Sequence, residues 1–263
     1  MTSGTGAASG ARTRFPILLY HRIRAAGEPV DRFDVTLDAF REQMRLVASC
    51  GRKAQTVSEL IGRRHSLAGD VVAVTFDDGT ADFYHHAWPV LRAHGLPVTL
   101  YVTSALVDGR HEGAEMLSWQ QLEELAAEGV EIGAHGHRHL PLDMLSIERA
   151  ALELVNSRLA LQDRLRRPVT SFAFPHGYHT AAVKQLLPRV GYRSACAVKN
   201  RLSHPHDDRY ALSRMTVGTA TSPERFEALL HGRGAAVAWD GERLRTRMWR
   251  AYRHTRARMP NEQ

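Results

Sequence analysis

The chain has 263 residues, of which 43% are hydrophobic, and carries a formal net charge of +7 at pH 7. It can therefore build a substantial core, and α/β barrels of this length form one domain. No apolar run approaches the roughly 20 residues needed to cross a bilayer. The two cysteines, Cys50 and Cys196, suit neither a disulfide framework nor a zinc knuckle, and we predict that both are buried and reduced.

The two ends of the chain differ in composition from the middle. Residues 1–14 are rich in Gly, Ala, Ser and Thr and lack the apolar centre of a secretory signal. We expect a disordered tail over 1–14, one domain over 15–235, and a basic tail or helix over 236–263. Because no secretory signal is visible, a cytoplasmic location is the expectation.

Short apolar runs recur along the chain between helical patterns. Their length and composition are typical of strands buried on both faces of a parallel sheet. The predicted strands are 15–20, 71–76, 97–102, 130–134, 170–174, 192–198 and roughly 212–218.

Predicted helices lie between these strands, and several have clear ends. Capping residues precede four of them: Thr36, Ser118 (with Gln121 three residues on), Ser146 before 147–165, and Ser222 before Pro223. Glycines suited to left-handed helix caps follow three: Gly95, Gly129 and Gly191. The alternation of strand, helix and glycine favours a β/α barrel, complete or incomplete, with an open doubly wound sheet as the alternative.

Polar and ionisable residues follow five of the predicted strands: Tyr20-His21, Asp77-Asp78, Thr103-Ser104, His135 and Pro175-His176. In a β/α barrel the C-terminal ends of the strands meet at one mouth, where reactive groups gather. The adjacent carboxylates of Asp77 and Asp78 repel each other unless a cation or hydrogen bonds hold them. A solvated turn or a helix cap is the ordinary alternative for this pair.

Three histidines stand within five residues, at 135, 137 and 139. If this segment is a helical turn, His135 and His139 share a face and His137 points elsewhere. Two imidazoles and one carboxylate are a recurrent ligand set for a catalytic divalent ion. If Asp78 supplies the carboxylate, Asp77 is free to act as a base, and the pattern predicts metal-assisted hydrolysis. A histidine-rich surface loop is the alternative.

Thr75-Phe76-Asp77-Asp78-Gly79 together with His135-x-x-x-His139 resembles the motifs of the polysaccharide deacetylases of carbohydrate esterase family 4, the NodB-homology proteins. The resemblance covers roughly residues 15–220. It implies a single-domain distorted (β/α)7 barrel, with Asp77 as general base on a metal-bound water and Asp78, His135 and His139 as ligands of one divalent ion. Zinc is the first expectation for that ion, with cobalt, nickel or manganese as alternatives.

The substrate implied by this resemblance is an N-acetylated sugar, in an amino-sugar polymer, an oligosaccharide or a lipid-linked intermediate. The implied reaction is hydrolysis of the N-acetyl group. A carbohydrate O-deacetylase is the nearest alternative, because the same machinery accepts esters. A non-catalytic carbohydrate-binding protein of the same fold is a third possibility.

The segment 172–177 resembles the family's third motif, in its Phe-Ala-Tyr-Pro-Tyr-Gly form, but departs from it at Phe174 and His176. The resemblance predicts a substrate-binding role for four residues: Phe174, Pro175, His176 and Gly177. A backbone N–H of this turn would stabilise the oxyanion. In many members this motif carries an arginine that steadies the catalytic aspartate, and none stands between 168 and 178. Arg214 is a candidate, although a surface arginine or an ordinary ion pair is the commoner situation.

The segment Ile17-Leu18-Leu19-Tyr20-His21-Arg22 resembles the Tyr-His opening of the branch that includes the biofilm poly-N-acetylglucosamine deacetylases. That resemblance implies a general-acid role for His21. A turn histidine bonded to the backbone is the alternative. The late histidine motif of other members is missing, since His231 falls in a predicted helix and is expected at the surface.

The C-terminal segment is strongly basic. From Glu242 to Gln263 seven arginines stand against two glutamates, and Met248, Trp249 and Tyr252 lie among them. Such a segment suits a surface that carries anionic lipid, nucleic acid or a phosphorylated substrate, and an anionic membrane is the partner we expect. A solvated tail is the alternative. Specific nucleic-acid binding is not expected, because the rest of the chain shows no organised basic and aromatic surface.

Overall fold

The computed structural model describes residues 14–63, 70–238, 248, 249, 252 and 253. Residues 1–13 of the predicted N-terminal tail, and most of the predicted basic segment 236–263, lie outside the described residues. Among the described residues, no helix has both the length and the apolar character required to cross a membrane.

The described residues form twelve strands and seven α-helices. The strands are β1 (Ile17–Tyr20), β2 (Arg22–Arg24), β3 (Asp34–Thr36), β4 (Lys53–Ala54), β5 (Val71–Phe76), β6 (Val98–Val102), β7 (Arg110–His111), β8 (Ala114–Glu115), β9 (Glu131–Ala134), β10 (Ser171–Ala173), β11 (Ser194–Val198) and β12 (Leu212–Thr216). The helices are α1 (Leu37–Ser49), α2 (Val57–Gly62), α3 (Trp88–Ala93), α4 (Trp119–Ala127), α5 (Ile147–Leu165), α6 (Ala181–Val190) and α7 (Pro223–Leu230).

Seven parallel strands close into a barrel in the order β1, β12, β11, β10, β9, β6 and β5. The ring closes because β1 pairs with β12 on one side and with β5 on the other, so that Leu18 lies opposite both Met215 and Val74. The two-residue strand β4 pairs with the start of β5. The barrel alternative of the sequence prediction is therefore confirmed, and each of the seven predicted strands is present with ends shifted by at most two residues.

The predicted helix ends are also confirmed. The side chains of Thr36, Ser118, Ser146 and Ser222 each accept a hydrogen bond from a backbone N–H three residues on. Such bonds satisfy amide groups that a helix start otherwise leaves unpaired. The backbone at Gly95, Gly129 and Gly191 is left-handed, with φ of 61°, 97° and 100°. Helix ends can be predicted from capping residues because a cap depends only on a few neighbouring residues.

Side-chain alternation along the strands decides what fills the barrel. Buried side chains from six barrel strands form one apolar cluster with α2: Phe15, Ile17, Val57, Leu60, Val71, Ala73, Tyr101, Ala173, Cys196 and Leu212. Because successive strand residues point to opposite faces, Asp77 has the same parity as Val71 and Ala73, and Arg214 that of Leu212. Both charged side chains therefore face the barrel interior above this apolar plug.

Both cysteines are free, as predicted. Cys196 is buried in β11, where burial raises the pKa of its thiol to about 11. Cys196 therefore lacks the environment of a reactive thiolate. Cys50 follows α1 and is only half-buried, so the prediction that both cysteines are buried is wrong for Cys50.

Candidate active site and metal centre

The predicted site residues gather at the C-terminal mouth of the barrel. Asp77 and Asp78 follow β5, His135 follows β9, and His21 follows β1. The turn 174–177 follows β10. The sequence prediction that these strand ends bring their polar residues together is borne out by the distances between them.

Asp78, His135 and His139 form a cluster that could hold a metal ion, with one ligand atom of each lying within 4.8 Å of the others. Asp78 Oδ1 lies 3.4 Å from His135 Nε2 and 3.3 Å from His139 Nε2. His135 is buried, and the other two are half-buried. Two imidazoles and a carboxylate converging on one point suit a divalent cation and leave coordination positions open.

The path of the histidine loop differs from the predicted helical turn. Residues 135–139 are not helical, and Gly136 and His139 have positive φ of 76° and 59°. Asp78 is also left-handed, with φ of 72°. The two histidines reach one point because the loop folds back on itself, so the i, i+4 argument was wrong in its geometry.

The ring of His135 is held in a defined tautomer. Its Nδ1 lies 2.9 Å from the backbone carbonyl oxygen of Ala173. A carbonyl can only accept a hydrogen bond, so Nδ1 carries the proton and Nε2 presents its lone pair towards Asp78. This is the arrangement by which a backbone carbonyl orients a metal-binding histidine.

Charge at the cluster favours an ionised carboxylate. Burial alone would raise the pKa of Asp78, but His135 and His139, which donate hydrogen bonds to its carboxylate when their rings are protonated, outweigh it and hold that pKa well below its usual value. Burial likewise opposes protonation of His135, yet the carboxylates of Asp77 and Asp78 raise its pKa. The pocket therefore favours positive charge, which a cation would supply.

His137 points away from this cluster. Its Nδ1 lies 2.9 Å from the Ser104 hydroxyl, at the end of β6. The backbone N–H groups of His137 and Arg138 donate to Glu153 Oε2 at 2.9 and 2.8 Å. Glu153 is a buried residue of α5. Its carboxylate thus fixes the loop that carries His135 and His139, a role that the sequence analysis missed.

Asp77 is paired with Arg214, and both are buried. The Arg214 Nη1 and Nη2 groups donate to Asp77 Oδ1 and Oδ2 at 2.6 and 2.7 Å. Burial would raise the pKa of Asp77, but the Arg214 cation, followed by His135, lowers it. Of the alternatives given for Arg214, the surface arginine is wrong, because the side chain is buried. Its ion pair with Asp77 places it where the candidate role needs it, beside the aspartate that the third motif leaves without an arginine.

His21 lies at the mouth beside the two carboxylates. Its ring stacks on Phe33, with centroids 5.0 Å apart, and its Nδ1 is buried without a hydrogen-bond partner. Burial lowers the pKa of His21, against the opposing charges of Asp78 and Asp77. The position agrees with the predicted one, and its role as an acid stays a prediction.

The turn after β10 separates the four predicted substrate-binding residues. Phe174 is fully buried, with its ring 5.3 Å from Phe172 and 4.8 Å from His179. Pro175 and Gly177 are buried as well, and a Cβ on Gly177 would come within 2.5 Å of Val198. These three residues shape the turn rather than present side chains to a ligand.

His176 is the exposed member of this turn. Its backbone is left-handed, with φ of 58°, and its ring lies 4.7 Å from that of His139. Burial lowers its pKa, and the nearby His139 and His135 add to that effect. His176 is therefore the member of this turn whose side chain is open to a ligand.

A further histidine reaches the site from the hairpin of β7 and β8. The ring of His111 lies 5.4 Å from that of His139. Its Nε2 is buried without a hydrogen-bond partner. The sequence analysis did not single out His111, because nothing in its local pattern shows that this hairpin folds over the histidine loop.

Known proteins match this chain along most of its length. A family model described as polysaccharide deacetylase matches residues 64–195. The chain is 20% identical over 248 residues to a poly-β-1,6-N-acetyl-D-glucosamine N-deacetylase of Staphylococcus aureus, which covers 85% of this chain and 82% of that protein.

Two solved structures share the barrel. The chain is similar to IcaB from Ammonifex degensii, with a TM-score of 0.73, 25% identity, and coverage of 85% of this chain and 98% of that one. It is also similar to the Streptococcus pyogenes deacetylase PplD in complex with acetate, with a TM-score of 0.74, 23% identity, and coverage of 83% and 99%.

Proposed function

From the premise that this chain belongs to the polysaccharide deacetylase family, we propose that it is a metal-dependent hydrolase that removes N-acetyl groups from an N-acetylated sugar. The substrate would be an amino-sugar polymer, an oligosaccharide or a lipid-linked intermediate. Similarity to a poly-β-1,6-N-acetyl-D-glucosamine N-deacetylase supports the choice of an acetamide over an ester.

The observation that carries this proposal is the meeting of Asp78, His135 and His139 beside the buried Asp77. The donor set fits a divalent ion, zinc first, because the Ala173 carbonyl leaves the Nε2 lone pair of His135 free. Such an ion would lower the pKa of a bound water and polarise the acetyl carbonyl.

Asp77 is the group that would accept the proton of the attacking water. Arg214 keeps this carboxylate ionised and fixes the orientation of both its oxygens. Asp77 Oδ2 also lies 3.8 Å from His135 Nε2, so the base stands next to the ligand cluster. Position and ionisation state together suit a general base.

Two further groups complete the proposed reaction. His21 would give a proton to the departing amine, and because burial lowers its pKa it would take up that proton during the cycle. At the turn after β10, the Gly177 N–H is already bonded to the Phe174 carbonyl. The backbone N–H of His176 is therefore our candidate for stabilising the oxyanion.

Acetate release from N-acetylglucosamine monomers, oligomers and lipid-linked forms tests this function. We expect release by the purified protein, loss after chelation, and recovery on adding back zinc, cobalt, nickel or manganese. Asp77→Asn should lower turnover by about 10²–10⁴-fold with metal content retained. Full activity in the chelated protein or in Asp77→Asn would contradict the proposal.

An O-deacetylase uses the same groups, so a matched O-acetylated sugar belongs in the substrate panel. Preference for the ester over the acetamide would assign the protein to that second function. A non-catalytic carbohydrate-binding protein of the same fold is disfavoured, because the full ligand set and the Asp77–Arg214 pair are present together.

A further inference from the structure

His21 makes a stacking contact where many catalytic histidines have an orienting hydrogen bond. Its ring lies on the Phe33 ring, with centroids 5.0 Å apart and an interplanar angle of 28°. Its Nδ1 is buried and has no hydrogen-bond partner among the residues that the structure describes. In many catalytic histidines this nitrogen is bonded to a carboxylate or a carbonyl, which fixes the ring. At His21 the contact available for that task is the Phe33 ring.

The stack follows from the pairing of two short parallel strands. β2 and β3 pair in the register that sets Arg22 opposite Asp34. His21 and Phe33 are the residues immediately before this pair, one on each chain segment. Residues at the same level of neighbouring parallel strands point to the same side, so the register brings the two rings together.

A buried carboxylate fixes this register. Asp34 is fully buried and accepts hydrogen bonds from the Nε groups of Arg22 and Arg24, at 2.8 and 3.0 Å. Both arginines belong to β2, so Asp34 holds the start of β3 against that strand. A slip of the register would separate the buried carboxylate from both cations, which is costly. Phe33, directly before Asp34, is therefore fixed beside His21.

The backbone on both sides of the stack is tied to the barrel mouth. The Ile23 N–H of β2 donates to Asp82 Oδ2 at 2.6 Å, and Asp82 lies just after the turn of the two adjacent aspartates. A Cβ on Gly218 would lie 2.2 Å from the carbonyl oxygen of Arg32, so the segment after β12 passes close to the residue before Phe33. The Phe33 ring thus stands on a backbone that is held from two directions.

The Phe33 ring is not part of the apolar core. Among the described residues, Phe33 is neither a member of the two apolar clusters nor one of the half-buried side chains packed on them. It is half-buried, and its ring contacts are with His21 and with the guanidinium of Arg32, 4.3 Å from the ring centroid. Replacing this ring should therefore disturb the mouth and spare the core.

We propose that Phe33 is a positioning residue, whose ring fixes the plane of the His21 imidazole for proton delivery to the departing amine. Phe33 has no group that donates or accepts a proton, so its effect on the reaction must pass through His21. The proposal rests on the proposed function, because it requires that His21 acts on a leaving group.

The kinetic test compares Phe33→Leu with Phe33→Tyr. Leucine keeps apolar bulk without a flat face, whereas tyrosine keeps the ring. Phe33→Leu should lower kcat for acetate release from an N-acetylated sugar about 10²-fold, the order of loss for a displaced catalytic group, with KM and metal content unchanged. Phe33→Tyr should keep most of the wild-type kcat. Both variants should spare an activated acetate ester, whose leaving group needs no proton.

Val30→Ala is the matched control. Val30 is 50% exposed in the same connection between β2 and β3, and its truncation should leave kcat unchanged on both substrates. Denaturant unfolding of the Phe33 variants checks that each is folded under the assay conditions.

Nuclear magnetic resonance of isotope-labelled histidine supplies a readout that needs no turnover. The ring signals of His21, assigned by their loss in His21→Ala, should carry an upfield ring-current shift from the Phe33 face. This shift should persist in Phe33→Tyr and disappear in Phe33→Leu. If the wild-type protein releases no acetate, the proposed function fails, while the shift still decides whether Phe33 fixes the His21 ring.

Three results would overturn the positioning role. The first is a His21 shift that stays unchanged in Phe33→Leu. The second is an equal loss of kcat on the acetamide and the activated ester, which would indicate general damage to the mouth. The third is a Phe33→Tyr protein as impaired as Phe33→Leu, because the flat ring would then not be what matters.

Discussion

Arg214 and Asp77 meet across β1. Arg214 comes from β12 and Asp77 follows β5, the two neighbours of β1 in the ring, and each terminal nitrogen of the guanidinium donates to a different carboxylate oxygen. Such a fork leaves the carboxylate little freedom to rotate. It also makes the two residues interdependent, because either one alone would be a buried unpaired charge.

We predict that Arg214 positions Asp77 and sets its pKa. Arg214→Met should cost about 3–5 kcal/mol in the free energy of unfolding, because it leaves a buried carboxylate unpaired. Removing the cation lets burial raise the pKa of Asp77, so the acid limb of the kcat/KM profile should move to higher pH. Denaturant unfolding and a pH–rate profile measure the two effects.

Arg214→Lys is the control that keeps the positive charge but cannot donate to both oxygens of the Asp77 carboxylate at once. Compared with Arg214→Met, it should recover much of the free energy of unfolding and return the acid limb of the kcat/KM profile towards its wild-type pH. Turnover should stay about 10²-fold below wild type, because the carboxylate is no longer held in one orientation. An acid limb that does not move in Arg214→Met would show that Arg214 has only a structural role.

We predict that His139 holds the metal and His137 does not. His139→Ala removes a donor that lies 3.3 Å from Asp78 Oδ1, so metal content after purification should fall sharply. His137→Ala loses only the contact with Ser104 and should keep its metal. Equal losses in the two variants would refute this division of the histidine loop.

We predict that Glu153 supports the metal site through the backbone of the loop. Glu153→Ala removes the acceptor of two N–H groups and should weaken metal binding about 10–100-fold, the range for groups that orient ligands. Glu153→Gln keeps an acceptor oxygen and should retain most of the affinity. Asp163→Ala, at an exposed position of the same helix, serves as the control. If Glu153→Gln weakens metal binding as much as Glu153→Ala, the two backbone hydrogen bonds are not the reason that Glu153 supports the site.

We predict that His21 assists the leaving group. An acetamide needs a proton on its departing amine, whereas an activated acetate ester departs without one. His21→Ala should therefore lower turnover of the acetamide by about 10²–10⁴-fold and spare the activated ester. Comparable losses on both substrates would indicate a structural role, and the acid would then be sought among His176, His179 and His231.

Much of the fold could be predicted because its signals are local. Parallel strands buried on both faces are continuous apolar runs, as 71–76 shows, and side chains such as Ser146 mark a helix start within three residues. The ends of the strands then located Asp77, Asp78 and His135 without any knowledge of the rest of the molecule.

The missed features depend on contacts between distant segments. Glu153 and His111 reach the histidine loop from α5 and from a hairpin, and no local pattern indicates either contact. The predicted substrate contact of the Phe174 side chain is wrong, although the sequence pattern already indicated that this side chain is buried. Alternation along β10 places Ala173 in the barrel and turns Phe172 and Phe174 towards the surrounding helices. The same alternation along β12 predicts that Arg214, two residues after the interior Leu212, points into the barrel.

Left-handed backbone recurs around the mouth, at Asp78, His139 and His176. For a residue other than glycine this conformation costs of the order of 1–3 kcal/mol. Stability and activity therefore compete at these three positions: His176→Gly, for instance, should raise the melting temperature and remove the exposed imidazole in the same step. A search for thermostable variants would be drawn to the mouth of the barrel, and the variants it found there would have lost the side chains that we expect to bind metal and substrate.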